Sequence, residues 1–185
     1  VWDDKLVQVA LKITECRTHY VNQLQMMLQQ WEVVKKNFPS LQLHYYQGWS
    51  STKTYLQALD ECWHKDLKSG ITSMGPHRCD LKIMLLDGLA KEVVSRGQQK
   101  LLTTILKIAQ IRLLNSELQI RPVLLIDDIA SELDIHNLEK IFNLLSDVEC
   151  QVFITAIHNQ DLHSLESSWP TKMFHVEHGC FQEMV

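Results

Sequence analysis

The stretch Pro122 to Asp134, PVLLIDDIASELD, narrows the possible folds of this chain more than any other. Its four consecutive apolar residues, Val123 to Ile126, predict a strand buried on both faces. A strand covered on one face only would alternate apolar with polar residues. Such strands belong to open parallel sheets, which hold ligands at the carboxyl ends of their strands. Asp127 and Asp128 stand at that end. Two adjacent carboxylates there suit a hard cation such as Mg2+ and an attacking water. They equally suit a strand that simply ends in a loop, and the pair alone leaves both readings open.

Upstream, Val94-Ser95-Arg96-Gly97-Gln98-Gln99-Lys100-Leu101-Leu102 opens a run predicted to be helical as far as Asn115. Leu101, Leu102, Ile105, Ile108, Ala109 and Leu113 form its apolar face. Ser95 is placed to be the N-cap, and Gln98, three residues on, completes a capping box. Capping alone accounts for both residues. A helix start is also an anion site, because its free N–H groups and its dipole favour a phosphate. Gly97 allows close backbone approach there, and Arg96 adds positive charge.

The net charge of −4 hides an uneven distribution. Residues 91–121 carry six Lys/Arg against two acids, whereas residues 122–185 carry eleven acids against two Lys. The basic stretch lies where an anion would be needed, and the acidic tail argues against general nucleic-acid stickiness there. A solvated surface of mixed sign accounts for most of these charges. The 185 residues, 45% hydrophobic, suffice for a real core in one domain or slightly more. Five scattered cysteines without a CxxC imply reduced thiols in a cytoplasmic protein, with no disulfide framework or zinc site. The nine histidines show no metal-ligand spacing. No apolar run is long enough to cross a membrane, and no signal peptide pattern is present. The sequence starts at Val1 without Met, and a fragment of a longer protein is expected.

Residues 1–37 hold no Gly or Pro. Trp2, Leu6, Val9, Ile13, Cys16, Tyr20, Leu24, Met27, Trp31, Val34 and Phe38 recur at steps of three and four, a heptad seam with a stutter near Tyr20. This is one long helix, or two helices broken at Thr18-His19, ended by Pro39-Ser40. It either packs on its own domain or forms one limb of a protruding helical arm. Leu41, Leu43 and Tyr45 predict a strand over 41–47, closed by Gly48. A helix follows over Thr54–Lys68, with Tyr55, Leu59, Cys62, Trp63 and Leu67 on one face and Ser69-Gly70 as its stop. Gly70 and Gly75 have the glycine spacing of a phosphate loop, but Pro76 and His77 stand where Lys and Ser/Thr are required. No other glycine pair has the spacing, so phosphates must be cradled by another segment. Cys79–Leu86 predicts a strand, Asp87-Gly88 a hairpin turn and Lys91–Val94 its second strand. Asp134 is placed to cap a helix over Ile135–Ser146. Gln151–Ala156 predicts another buried strand. Met173–Val176 predicts a sheet member, Glu177-His178-Gly179 a turn, and Phe181 the start of a last short strand.

SRGQQKLL followed by PVLLIDDIASELD resembles the ABC-type signature, Walker B and D-loop of the RecF family, bacterial gap-repair ATPases related to SMC heads. Gly75 to Leu81, GPHRCDL, is similar to that family's GPH[RK]xDL segment, and Tyr46-Gln47-Gly48-Trp49 to its FQGW. The likeness covers roughly residues 44–185. It implies an α/β ABC-type ATPase head, a P-loop NTPase-like sheet with flanking helices, plus part of a helical arm. Residues 1–70 would be the arm or second-lobe portion. Residues 71–185 would be the C-terminal part of the head, with the Walker A segment absent.

In that family two heads sandwich ATP. By resemblance Ser95 and Gly97 would contact the γ-phosphate held by the partner head, with Arg96 and Gln98 in the same motif. Asp127 would hold Mg2+, and Asp128 would orient or deprotonate the attacking water. Ser131 and Asp134 would belong to the D-loop, and His158 would stand near the place of a phosphate-sensing histidine. That histidine usually follows Thr directly, whereas here Thr155 is followed by Ala156. His77, Arg78 and Asp80 either form a local polar cluster or touch nucleotide or DNA, and the structural reading is favoured. The resemblance further implies an ATP-dependent homodimer in the nucleoid. It would bind single-stranded gaps and junctions in DNA and work with RecO and RecR to help load the recombinase. The family is a slow ATPase, and the chain alone, lacking Walker A, is not expected to hydrolyse ATP. The alternatives are a head fragment of another SMC or ABC-type ATPase and a non-catalytic dimerisation module. Arg96, where most ABC signatures have a second glycine, favours RecF.

Overall fold

The computed structural model describes residues 2–86, 88–130, 133–158, 162 and 170–184. The side chain of Trp2, together with Asp87, Ser131 and Glu132, lies outside the described residues. The chain forms two compact units, residues 1–94 and residues 95–185. The expected boundary at residue 70 falls inside the first unit, whose sheet pairs residues from both sides of it.

Unit 1 begins with helix α1 (Trp2–Gln30) and helix α2 (Glu32–Asn37). Thr18-His19 does not interrupt α1. The break comes at Trp31, which is extended at φ −79° and ψ 125° and restarts the helix as its N-cap. The downstream half of the seam is buried as expected at Leu24, Trp31, Val34 and Phe38. The upstream half is not. Leu6, Val9 and Tyr20 are exposed, and Ala10 and Val21 are buried instead. Ala10 clusters with Trp49, Tyr55 and Ala58. Two large rings need a small residue opposite them, so volume rather than hydrophobicity chose the buried position.

Strand β1 (Gln42–Tyr46) pairs antiparallel with β2 (Asp80–Leu85), setting Leu43 opposite Ile83 and Tyr45 opposite Leu81. β2 turns back into β3 (Gly88–Leu89). The second hairpin strand expected at Lys91–Val94 is instead a helical turn, α4 (Ala90–Val93). The hairpin closes earlier, at Gly88, and burial of Ala90 turns the chain away from the sheet. Helix α3 (Tyr55–Ser69) starts in a capping box of Thr54 and Gln57 and stops at Gly70, left-handed at φ 68°. Tyr55 and Ala58 are buried, but Trp63 and Leu67 are exposed. The helix therefore packs through its first turns, and the apolar face expected to run its whole length is buried only there.

Unit 2 contains α5 (Arg96–Leu118), β4 (Val123–Ile126), α6 (Ile135–Ser146) and β5 (Gln151–Ile154). α5 packs against α6. Its core holds the six predicted α5 residues and Ile111, with Leu138, Ile141, Phe142 and Leu145 of α6. β4 and β5 run parallel, with Leu124 beside Val152 and Leu125 beside Phe153. The expectation of strands buried on both faces is corrected. Leu125 is 72% exposed, and Val123 and Phe153 are exposed with it, while Leu124 and Ile126 are half-buried. Only one face of this two-stranded sheet is covered by unit 2 itself. β6 (Met173–Glu177) and β7 (Cys180–Met184) form a hairpin. Its turn is at His178 and Gly179, both at positive φ as a tight hairpin turn requires. Among the described residues no helix is long and apolar enough to cross a membrane.

Candidate functional site

Parallel pairing of Ile126 with Ile154 makes the residues that follow each strand neighbours. Thr155 uses every polar group it has at this junction. Its N–H donates to the Ile126 carbonyl at 3.0 Å, and its carbonyl accepts from the Ile129 N–H at 3.1 Å. Its hydroxyl donates to Asp127 Oδ1 at 2.6 Å and accepts from the Asp128 N–H at 2.8 Å. Asp128 lies at φ 45°, in the left-handed region. An aspartate tolerates that region better than most residues do, yet it is uncommon enough to need support. Lys100 of α5 supplies some, its ammonium donating to the Asp128 carbonyl at 2.5 Å. Ile129, fully buried, anchors the loop below.

Asp127 is exposed, and its second carboxylate oxygen accepts no hydrogen bond from the described residues. No group of three or more His, Cys, Asp or Glu that could hold a metal occurs among them. Mg2+ does not need one, because it keeps several waters and binds through one or two carboxylates plus phosphate oxygens. The free oxygen of Asp127 fits that demand.

Between α5 and β4 opens a cleft of about 670 Å³. Arg96, Lys100 and Lys107 line it from the helix, and Leu124 to Asp127 line it from the strand. The structure therefore brings the start of α5 and the end of β4 to one place. Of the four predicted signature residues Arg96 lines the cleft, and Ser95, Gly97 and Gln98 do not. Ser95 and Gln98 form the predicted capping box. Ser95 Oγ accepts from the Gln98 N–H at 3.3 Å, and Gln98 Oε1 accepts from the Ser95 N–H at 2.9 Å. Ser95 remains exposed, and Gly97 is half-buried. Asp134 caps α6, accepting from the Asn137 N–H at 2.7 Å. His158 is exposed beyond Thr155, and Ser131 lies outside the described residues.

In unit 1 the two remaining motifs meet. The Gly75 N–H donates to the Gly48 carbonyl at 3.2 Å. A Cβ on Gly48 would stand 1.9 Å from Gly75 O, and one on Gly75 would stand 2.4 Å from the Tyr55 hydroxyl. Trp49 stacks on Tyr55 with ring centroids 4.5 Å apart, and the Tyr55 hydroxyl donates to the Met74 carbonyl at 3.1 Å. Burial and the nearby Asp66 carboxylate push the Tyr55 phenol above its ordinary pKa. His77 bonds the Thr72 carbonyl at 2.8 Å, and Asp80 accepts from the Leu81 N–H at 2.8 Å. Arg17 donates to the Pro76 carbonyl at 2.7 Å and to Cys79 Sγ at 3.0 Å. His77 and Asp80 thus bond within unit 1, as the structural reading expects, whereas the Arg78 side chain is exposed and only its N–H bonds there, to the Gly75 carbonyl at 2.8 Å.

Sequence reasoning missed Thr155 as a hydroxyl and Lys100 altogether. The signal for Thr155 was the pairing itself. If the two apolar runs are parallel neighbours in register, the residue after one faces the residue after the other.

Three comparisons bear on kinship. DNA replication and repair protein RecF of Shewanella frigidimarina is 36% identical over 180 residues, 96% of this chain and 49% of that protein. The RecF of Shewanella piezotolerans has the same identity and coverage. The chain thus spans about half the length of the curated relatives it matches. Among solved structures, the recombination mediator protein RecF with ATP, of the RecFOR pathway, superposes with a TM-score of 0.74 at 22% identity. That match covers 99% of this chain and 49% of the other. An SMC head bound to the C-terminal winged-helix domain of ScpA gives 0.53 at 13% identity, over 90% of this chain and 43% of the other. The fold is therefore the mixed α/β of SMC and ABC-type ATPase heads. A family model described as the RecF/RecN/SMC N-terminal domain matches residues 11–182, and the chain belongs to that family.

Proposed function

We propose that the chain is the C-terminal part of a RecF-like DNA replication and repair ATPase, in which two heads close on ATP and Mg2+. The observation that carries this reading is the end of β4. There Thr155 holds Asp127 by one oxygen, the other accepts no hydrogen bond from the described residues, and Asp128 stands beside it in a left-handed conformation held through its N–H. A loop that merely ended a strand would need none of this.

Asp127 would hold Mg2+, and Asp128 would orient or deprotonate the attacking water. When bound, the metal neutralises charge on the β- and γ-phosphates. The first N–H groups of α5 with Ser95 and Gly97 meet the γ-phosphate of the partner head, and Arg96 and Gln98 complete that motif. Ser131 and Asp134 lie in the D-loop, and His158 is the candidate sensor. Asp in place of the longer Glu fits slow turnover. The phosphate cradle comes from a segment other than this one, because none of the chain's glycines sits in a GxxxxGK[ST]. The matching family model is described as an N-terminal domain, which stands against the C-terminal assignment. That assignment rests on motif order, signature then Walker B then D-loop, and on the missing phosphate loop.

The client is DNA at single-strand gaps and junctions, the assembly an ATP-dependent homodimer, the partners RecO and RecR, and the place the nucleoid. Kinship to proteins named for DNA replication and repair supports this part. Ser95→Arg in the full-length protein tests the reading. ATP-dependent dimerisation, followed by light scattering, should be lost while nucleotide binding by the monomer persists. Undiminished dimerisation would remove the signature role. ATP turnover by residues 1–185 alone would show that the cradle is misplaced.

A further inference from the structure

We infer that Lys100 is a positioning residue for Asp128, and that it couples the signature helix to the chain's own water-activating carboxylate. The chemical role of Asp128 rests on the ATPase reading above, whereas the tether rests on geometry alone. Asp128 is left-handed at φ 45°, a conformation that persists only where the surroundings over-determine it. It is gripped at both peptide flanks. Thr155 Oγ1 accepts its N–H at 2.8 Å, and Lys100 Nζ donates to its carbonyl at 2.5 Å. With both flanks fixed, the Cα–Cβ bond that carries the carboxylate leaves the backbone in one direction.

These two contacts have different origins. Thr155 follows β5 and moves with the sheet. Lys100 belongs to α5, the helix that Ser95 caps. Leu101, Leu102 and Ile105 just beyond it are buried, so this part of the helix behaves as a rod. At about 1.5 Å per residue the cap and Lys100 are about 7.5 Å apart along its axis. An anion engaging the first N–H groups of α5 displaces Lys100 with them, and Lys100 displaces the Asp128 peptide. Lys100 also lines the cleft with Asp127, yet its hydrogen bond is to a main-chain carbonyl, not to that carboxylate. The arrangement serves backbone geometry before charge pairing.

The test compares full-length wild type with Lys100→Met, Lys100→Arg, Asp128→Asn and the double variant Lys100→Met/Asp128→Asn. Lys100→Met should lower kcat about tenfold or more while KM for ATP and ATP-dependent dimerisation stay within about twofold. Lys100→Arg, which keeps a cationic donor of similar reach, should recover most of the loss. The double variant should be no slower than Asp128→Asn, because the tether acts through that carboxylate. Independently of turnover, amide exchange at residues 127–130 without nucleotide should quicken about tenfold in Lys100→Met and stay near wild type in Lys100→Arg. Unchanged exchange overturns the tether, and unchanged kcat or multiplicative losses overturn the positioning role. A wild type that does not hydrolyse ATP would overturn the ATPase reading, and the exchange measurement would still decide the tether.

Discussion

Two turns bear motifs in this chain, and they use their residues in opposite ways. In unit 1 Gly48 and Gly75 touch through their backbones, and the rings of Trp49 and Tyr55 fill the space beside them. The residue types there follow from volume, since no larger residue fits. In unit 2 Asp127 is exposed and Asp128 is half-buried. No packing demand selects them, yet hydrogen bonds from Thr155 and Lys100 hold the loop in an uncommon conformation. A motif that packing explains is architecture. A motif that packing does not explain, but that the fold goes to some length to hold, is the place to look for chemistry.

The sharpest way to break this contrast is Gly48→Ala. Its Cβ would overlap the Gly75 carbonyl, and its φ of 103° suits glycine. Stability should fall by about 3 kcal/mol or more, read as a fall in Tm by circular dichroism. A stable Gly48→Ala would show that the clasp is not a packing constraint. Thr155→Val should cost less, about 1–3 kcal/mol, because it leaves the Asp128 N–H without its acceptor. It should also impair turnover, and full activity would separate Thr155 from the site. The smallest effect belongs to Asp66, which closes the loop after α3. Hydrogen bonds from the Ser73 hydroxyl and N–H hold its carboxyl below the ordinary carboxylate range. A lowered folded value means that the stabilisation is complete above the unfolded value and is lost as pH falls through the folded one. Wild type should therefore lose Tm across that acid window, and Asp66→Asn should flatten the dependence. An identical acid profile in both would show that this carboxylate does not stabilise the loop.

Local chemistry was the most legible part of the sequence. Ser95 with Gln98, Asp134 before Ile135, and the turn at His178-Gly179 are short-range devices whose partners lie a few residues away. The buried face of α5 followed from periodicity alone. What periodicity does not carry is the partner. The apolar residues of α1 ran along one stripe, but burial depended on Trp49 and Tyr55, which asked for Ala10. Val123 to Ile126 was apolar throughout, yet only one of its faces is covered within unit 2. The aspartate pair was legible as the end of a strand and as the place to propose a site. Its supports were not, because Lys100 and Thr155 each reach it across nearly thirty residues of sequence.

The most direct test of the account is hydrolysis by full-length Asp128→Asn, measured in a single turnover alongside nucleotide binding and ATP-dependent dimerisation. Binding and dimerisation should persist, and hydrolysis should fall about a hundredfold or more. Hydrolysis at the wild-type rate would contradict it.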